Sequence, residues 1–202
     1  FLNLAWLPRI FGITDPPTRA AVLAGSRDGL YRLLVPFTMG IALGGPLVLR
    51  IWAPRSFHTQ TLIPVVALVV ASTIPVCTAY VHSRLLLSEG RSSTVALITV
   101  TAAAVNVGLN LVLVPRIGIN GSALATLAAY GLLAMGMASL SRLVLPLPRP
   151  PLWLAGSLAT IEGFILLSSY LPNHGSAAIL RALGTLVCVV ACISVLRRLQ
   201  TS

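Results

Sequence analysis

The chain has 202 residues, of which 56% are hydrophobic and only 9% are charged, and its mean hydropathy is +0.93. About a quarter of the residues in soluble globular domains are charged, so this composition excludes that class and predicts a protein that is solvated by lipid. The net charge of +10 comes from fourteen arginines and no lysine. Because the arginines lie at the ends of apolar runs, where loop charges orient membrane helices, we expect no binding to nucleic acid.

Residues 1–29 are predicted to be the end of a preceding helix followed by a cytoplasmic loop. The chain begins at Phe1, and its first residues resemble the tail of a membrane helix whose beginning is absent, so we expect a truncated sequence. The stretch 14–29 is the most polar part of the chain. A surface helix is expected after Pro16 and Pro17, because proline is favoured at the start of a helix.

Six apolar runs follow, and each is long enough to cross a bilayer as a helix of about 20 residues. They cover about 30–53, 61–83, 92–115, 117–141, 151–171 and 177–196. The predicted fold is therefore all-α, a polytopic bundle of about six membrane spans. We divide it into a four-helix part at 30–141, a cytoplasmic linker at 142–149 and two additional helices at 150–202. In the first span, Gly40-x3-Gly44 predicts close packing against another helix.

The third and fourth runs are joined by a turn that is too short for anything but a hairpin. Pro115, Gly118 and Gly121 interrupt the backbone where the chain must reverse. Small residues after the turn would let another helix approach closely, and they are Gly121, Ser122, Ala123, Ala125, Thr126, Ala128 and Ala129. The stretch Asn106–Tyr130 is therefore predicted to be a transmembrane hairpin.

The same stretch contains the pattern Asn106-x3-Asn110-L-V-L-V-Pro115-x2-Gly118-x2-Gly121-S-A-x-Ala125-Thr126. This pattern resembles the helix-turn-helix signature of the polysaccharide and lipid-linked oligosaccharide flippases, a family of the multidrug/oligosaccharidyl-lipid/polysaccharide exporter superfamily. The resemblance extends to a proline in the first third of a span, at Pro36, and to a short connection that ends in Gly90-Arg91. Residues 1–141 follow the family pattern, whereas residues 142–202 follow only its hydropathy.

The resemblance implies the carboxyl-terminal part of a two-lobe transporter, incomplete without a missing amino-terminal lobe or a second copy. It also implies that both ends are cytoplasmic, and the arginines agree. Ten of them lie on the side of the amino-terminal loop, and four lie on the opposite side, namely Arg50, Arg55, Arg116 and Arg181. Since positive loops stay inside the cell, we expect a bacterial cell-membrane protein with both termini in the cytoplasm.

No catalytic or nucleotide-binding motif occurs in the sequence, whether G-x-S-x-G, H-E-x-x-H, a phosphate-binding loop or a dinucleotide fingerprint. Cys77, Cys188 and Cys192 lie inside apolar runs without flanking histidine or carboxylate. We interpret them as packing residues and expect neither a metal site nor a cofactor. An integral-membrane enzyme of the cell envelope is therefore a weaker hypothesis, and a non-transporting scaffold of an envelope assembly is another.

Seven residues are candidates for contact with a cargo or a coupling ion. Arg32, Arg50, Arg84 and Arg181 lie at or just inside span ends, where a guanidinium suits a lipid pyrophosphate or else snorkels to the headgroups. Glu162 lies near the middle of a span, at a cost of about 2.5–3.5 kcal/mol on insertion scales. It is either a protonatable or cation-pairing group at a cavity, or a neutral acid bonded to a neighbouring helix. Asn106 and Asn110 lie one helical turn apart. Their amides either form hydrogen bonds to a neighbouring helix or have a role in sugar binding or gating.

The resemblance implies a transporter that flips undecaprenyl-diphosphate-linked oligosaccharide, a repeat unit of O-antigen or exopolysaccharide, across the cytoplasmic membrane. Two lobes would rock around a polar cavity, and the kinks expected at Pro36, Pro64 and Pro75 would permit this motion. An ion gradient or the membrane potential would supply the energy. The alternative is a multidrug or cation exporter of the same superfamily. Expected partners are the lipid-linked oligosaccharide, the bilayer, and a polysaccharide polymerase or another envelope-assembly protein.

Overall fold

A computed structural model describes residues 12–52, 59–172 and 175–201. These segments contain seven α-helices and no strand, and the helices are α1 Pro16–Trp52, α2 Thr59–Ala71, α3 Thr73–Ser88, α4 Ser92–Ile117, α5 Ile119–Val144, α6 Leu152–Ser168 and α7 Ser176–Thr201. The predicted all-α bundle is confirmed. The helix end predicted at the beginning of the chain falls on residues 1–11, which lie outside the described residues.

Five helical stretches of the described chain are long and apolar enough to cross a membrane. They are Pro16–Trp52, Thr61–Ser88, Ser92–Ile117, Ile119–Val144 and Ser176–Leu199. The remaining predicted span is α6, which is a shorter apolar helix of 17 residues. Its length corresponds to about 25 Å, slightly less than the hydrocarbon core of about 30 Å.

Helix α1 continues without a break from the polar amino-terminal stretch into the first predicted span. Its 37 residues correspond to about 55 Å, well beyond the thickness of a hydrocarbon core. The helix begins at the two prolines as predicted, and the Asp15 carboxylate accepts hydrogen bonds from the Thr18 hydroxyl and from the Thr18 N–H at 3.0 Å. The predicted boundary between residues 29 and 30 lies inside this helix, because buried side chains such as Ala20 and Leu23 pack its first turns against the bundle.

The second predicted span consists of two helices, α2 and α3, which are separated at Ser72. Pro75 explains the separation. Proline has no N–H, so the carbonyl of Ala71 four residues earlier loses its helical donor. At the same place the buried Ser72 hydroxyl donates to the carbonyl of Val69 at 2.7 Å, so this hydroxyl has a hydrogen-bond partner inside the bundle.

The hairpin predicted from the glycines and proline is confirmed. Gly118 alone separates α4 from α5, with a φ of 60° in the left-handed region that glycine tolerates. At Gly121 a Cβ atom would lie 2.6 Å from the carbonyl of Leu113, so only glycine allows the two helices to pack this closely. Pro115 lies in the last turn of α4 rather than in the connection itself.

The helices run up and down, which gives the bundle two ends. We define the near end as the one at which α1 and α6 begin and α3, α5 and α7 finish, and the far end as the opposite one. At the near end the Trp153 ring of α6 lies beside Arg32 of α1, and Leu199 of α7 lies against Gly29 of α1.

Helix α1 is the centre of the bundle, since it packs against α2, α3, α6 and α7. Helix α5 packs against α2, α3 and α4, so α4 and α7 form the two margins of the bundle. The inner faces meet in apolar clusters such as the one that joins Ala42, Ala71 and Ile165. The margins carry large exposed apolar side chains, for example Leu111 on α4 and Val187 on α7. Such an outer surface matches the solvent properties of lipid.

Candidate functional site

The four arginines that the sequence singles out do not converge on one site. Arg32 and Arg84 lie at the near end, whereas Arg50 and Arg181 lie at the far end. Helix α6 runs from one end to the other, and its 17 residues correspond to about 25 Å. A single diphosphate group is much smaller than this separation, so the four arginines cannot bind one diphosphate together.

Arg181 is buried at the start of α7, with 3% of its surface exposed. Its Nε donates to the carbonyl of Pro172 at 3.2 Å, and its Nη2 donates to the carbonyls of Ser168 at 2.6 Å and Leu171 at 3.0 Å. These carbonyls lie where the helical donors of α6 run out, so the guanidinium caps that helix. Nη1 is buried without a hydrogen-bond partner among the described residues. The guanidinium of Arg181 therefore fastens α6 to α7.

Arg32 differs from Arg181 because its side chain is exposed. Its Cζ lies 5.5 Å from the centroid of the Trp153 ring, which is a cation–π distance. Arginine and tryptophan side chains of this kind are typical of a membrane–water interface. Arg84 is half-buried and Arg50 is exposed. Of these four arginines, Arg32 combines an exposed guanidinium with a cation–π contact to a tryptophan ring.

Asn106 and Asn110 contact each other along α4. The Nδ2 of Asn110 donates to the backbone carbonyl of Asn106 at 2.8 Å and to its side-chain oxygen at 3.1 Å. Both side chains are half-buried. The hydrogen bonds described for this pair thus stay within one helix, and they reduce the cost of placing two amides on a margin of the bundle.

Glu162 lies in the middle of α6 and is partly buried. Its Oε2 is buried and has no hydrogen-bond partner in the part of the chain that the structure describes. The neighbouring Ile161 and Ile165 belong to an apolar cluster with residues of α1 and α2. An unpaired buried carboxylate is costly, so this arrangement suits a carboxyl group that is protonated or binds a cation.

An apolar groove runs between α1 and α7 beside the middle of α7, and we call it the α1–α7 groove. It has a volume of about 580 Å³ and is lined by α1 from Pro36 to Leu49, by Val66 of α2 and by α7 from Thr185 to Ile193. A Cβ atom at Gly44 would lie 3.0 Å from the Thr185 Cγ2. The predicted close packing at Gly40-x3-Gly44 is therefore confirmed, with α7 as the partner helix.

Polar side chains that cross between elements cluster at the near end, and the sequence analysis did not identify this cluster. Arg27 is 4% exposed, and its Nη1 donates to the carbonyl of Pro148 at 2.7 Å. Its Nε and Nη2 lie 2.9 and 2.8 Å from the Oδ1 of Asp28. Arg19 pairs with Glu89 at 2.9 Å. The loop predicted within residues 1–29 includes Arg27, although the four-residue spacing of Arg27 from Leu23 and Tyr31 places it on the packed face of α1.

Two more polar contacts join α3 to its neighbours at this end. The Thr78 hydroxyl donates to a carbonyl of its own helix, so Tyr31 of α1 is the donor in the 2.8 Å bond between their oxygens. The Ser141 hydroxyl likewise donates within α5, so the Nδ1 of His82 donates to the Ser141 Oγ at 2.7 Å. Both His82 and Ser141 are buried. These bonds hold α3 against α1 and α5.

The chain was compared with known families and structures. No protein-family model, curated protein or solved structure matches it. Across the described residues, no group of three or more His, Cys, Asp or Glu side chains is placed to hold a metal ion. The features that bear on function are therefore the α1–α7 groove, the exposed arginines and Glu162.

Proposed function

We propose that this chain is part of a membrane transporter that flips undecaprenyl-diphosphate-linked oligosaccharide across a bacterial cell membrane. The observation that carries the proposal is the α1–α7 groove, which lies among helices of membrane-spanning length. The groove exposes apolar lining atoms, as a binding surface for a polyisoprenyl chain must. The resemblance of the α4–α5 hairpin to the flippase signature supports the same function.

The arginines support an anionic headgroup on the cargo. Two exposed guanidinium groups lie on α1, Arg32 near its middle beside the start of α6 and Arg50 in its last turn at the far end. A diphosphate that crosses the membrane would thus leave one arginine and meet another, and arginine suits phosphate well. The excess of arginine on the near-end side of the sequence favours a cytoplasmic near end, with both chain termini on that side.

One bundle of this kind provides one wall of a passage. We propose that a second lobe, from an amino-terminal region or from a second copy of the chain, forms the opposite wall and rocks against it. Coupling to an ion gradient or to the membrane potential would drive the cycle. A polysaccharide polymerase or another envelope-assembly protein would receive the flipped product.

Reconstitution tests the transport function with a matched pair of variants. The protein is placed in vesicles with a fluorescent undecaprenyl-diphosphate-linked sugar, and exposure of the sugar on the opposite leaflet is followed over time. Val189 lines the groove, whereas Val190 is the next residue, is 60% exposed and does not line it. Val189→Trp should slow flipping by about tenfold, the effect of about 1.4 kcal/mol, and Val190→Trp should leave the rate unchanged. Wild-type vesicles that flip no faster than protein-free vesicles would refute the function.

A second candidate function, export of cationic compounds, is favoured by Glu162. A carboxyl oxygen without a described partner in an apolar helix is a chemically suitable site for a cation or a proton. The exporter function predicts that Glu162→Gln abolishes gradient-driven efflux of a cationic dye from vesicles. Flipping of the lipid-linked sugar, with no dye efflux in the wild type, would instead leave the flippase function standing. Product formation in detergent, without a vesicle barrier, would indicate an enzyme.

A further inference from the structure

The link between α5 and α6 is docked on the bundle rather than lying free in solvent. Leu145 and Leu147 pack against Leu23 of α1 and Leu85 of α3, which are 2% and 0% exposed. Alternate residues of an extended segment point to the same side, so the two leucines can contact one surface together. The link thus crosses the junction of α1 and α3 at the near end.

A buried arginine completes this docking. The Nη1 of Arg27 donates to the carbonyl of Pro148 at 2.7 Å, and the Asp28 carboxylate holds the same guanidinium through its Nε. The link is also joined to the end of α5, where the N–H of Leu145 donates to the carbonyl of Ser141 at 2.9 Å. Arg27 is therefore the one described side chain of α1 that holds the link by a hydrogen bond.

The composition of the link suits a segment that can detach and return without refolding. Four of its residues are proline, and they are Pro146, Pro148, Pro150 and Pro151. Proline fixes φ near the extended polyproline conformation, so the link keeps a similar shape whether it is docked or free. Little conformational entropy is lost on docking, and a few contacts are enough to hold the segment.

We propose that residues 145–150 form a releasable strap, and that the hydrogen bond from Arg27 to the Pro148 carbonyl locks this strap across α1 and α3. The docked strap holds α1 and α3 together at the near end. Its release frees the beginning of α6, where Leu154 packs on Tyr31 and Leu34 of α1. This device belongs to the fold and does not depend on which cargo the chain moves.

A cysteine reporter in the strap tests this proposal in the full chain. Leu147→Cys is introduced after Cys77, Cys188 and Cys192 have been changed to alanine, and its rate of maleimide labelling is measured in lipid nanodiscs. Arg27→Gln should raise that rate by about tenfold or more, the equilibrium effect of one hydrogen bond to a charged donor. Arg149→Gln is the matched control, because this arginine is exposed on the strap itself. It should label at the parent rate.

Two results would overturn the proposal. One is equal, slow labelling of the parent and of Arg27→Gln, because the strap would then be held without Arg27. The other is labelling of the parent reporter as fast as a cysteine at exposed Leu143, because the strap would then not be docked. If Arg27→Gln fails to fold, Arg27→Lys decides, since lysine keeps the charge but lacks the fork that joins Asp28 to Pro148. Faster labelling of this variant supports the lock, and the parent rate refutes it.

Discussion

The two ends of the bundle are held together by different kinds of contact. At the near end, hydrogen bonds and ion pairs cross between α1, α3, α5 and the link, with Arg27 and His82 buried among them. Between α1 and α7, by contrast, the contact runs from Gly29 and Leu199 at the near end to Gly44 and Thr185 towards the far end, through glycines and apolar side chains, and the α1–α7 groove opens beside it. The Arg181 cap at that end joins α7 to α6 rather than to α1.

This difference matters because lipid weakens the usual driving force for packing. In a bilayer, apolar side chains gain little by leaving lipid for a neighbouring helix, so close backbone approach and hydrogen bonds decide which helices stay together. By that criterion the near end is the more tightly held part of the bundle while the strap is docked. The far end, where α1 and α7 touch without a described side-chain hydrogen bond between them, is the part that can admit a lipid chain.

The largest effect is expected where the far end depends on backbone contact. Gly121→Val places a Cβ atom 2.6 Å from the Leu113 carbonyl, a contact that neither helix can relieve by rotating a side chain. The expected destabilisation is about 3 kcal/mol, visible as loss of monodisperse protein in size-exclusion chromatography. Gly131→Val in the same helix is the control, since it has open space at the Cβ position. Equal yields of both variants would contradict the described hairpin packing.

A smaller loss is expected at the Arg181 cap. Arg181→Met keeps the length of the side chain but leaves the carbonyls of Ser168 and Leu171 without their donor. We expect a loss of about 2 kcal/mol in the free energy of unfolding, the usual cost of buried polar groups left unpaired. Thermal unfolding in detergent measures it. Exposed Arg116 is at the same end, and Arg116→Met should change stability by less than about 0.5 kcal/mol.

At the near end, the bond between His82 and Ser141 gives an effect of intermediate size. A double-mutant cycle with His82→Phe and Ser141→Ala should give a coupling energy of about 0.6 kcal/mol, the mean for hydrogen bonds between membrane helices, and at most about 1.7 kcal/mol. Additive single effects would mean that the 2.7 Å contact contributes nothing to stability. Thr185 and Gly44, by contrast, meet through a van der Waals contact and not through a hydrogen bond, so no such coupling energy is expected between them.

The ion pair between Arg19 and Glu89 should matter less than the buried contacts. Its two side chains are 14% and 25% exposed, so solvent screens the pair only in part, and we expect it to contribute about 1 kcal/mol. Arg19→Gln should lower the unfolding temperature slightly at low salt and by less in about 1 M salt, where the Debye length is about 3 Å. A loss of the same size at low and high salt would indicate that Arg19 contributes by packing.

The smallest effect is expected at the start of α1. Hydrogen bonds from Thr18 hold the pKa of the exposed Asp15 carboxyl below its usual value. A lowered pKa in the folded state means that the carboxylate stabilises the fold above the unfolded pKa of 3.8 and loses this contribution as the pH falls through the folded value. Asp15→Asn keeps a capping side chain but should remove this part of the acid sensitivity. Identical acid profiles for the variant and the wild type would contradict it.

Much of the fold follows from local sequence signals. Apolar runs predict the spans, and the backbone requirements of Gly118 and Gly121 predict the hairpin, because these depend on neighbouring residues alone. The single helix α1 does not follow from such signals, since they predict a separate surface helix after Pro16 and Pro17, whereas Leu23 packs under the strap and the helix continues into the first span. Contacts between segments that are distant in the sequence determine that residues 16–52 form one helix.

The candidate site was harder to predict than the fold for the same reason. The sequence identifies Arg181 as a charge at a span end, but only the folded chain brings it against the carbonyls at the end of α6. Arg27 was interpreted as a loop charge because Pro148, its acceptor, is 121 residues away along the chain. Glu162 lies in the middle of the apolar helix α6, as the sequence predicts, and its role as a coupling group stays a prediction.

The most direct test of the account is to locate the lipid chain on the protein. An undecaprenyl diphosphate with a photoreactive group near the end of its chain is irradiated in nanodiscs with the full-length chain, and the crosslinked peptides are identified by mass spectrometry. The account predicts crosslinks on α1 between Pro36 and Leu49 and on α7 between Thr185 and Ile193, reduced by Val189→Trp and not by Val190→Trp. Crosslinks spread over α4 and α7 in the same pattern as those of a photoreactive phosphatidylcholine would contradict it.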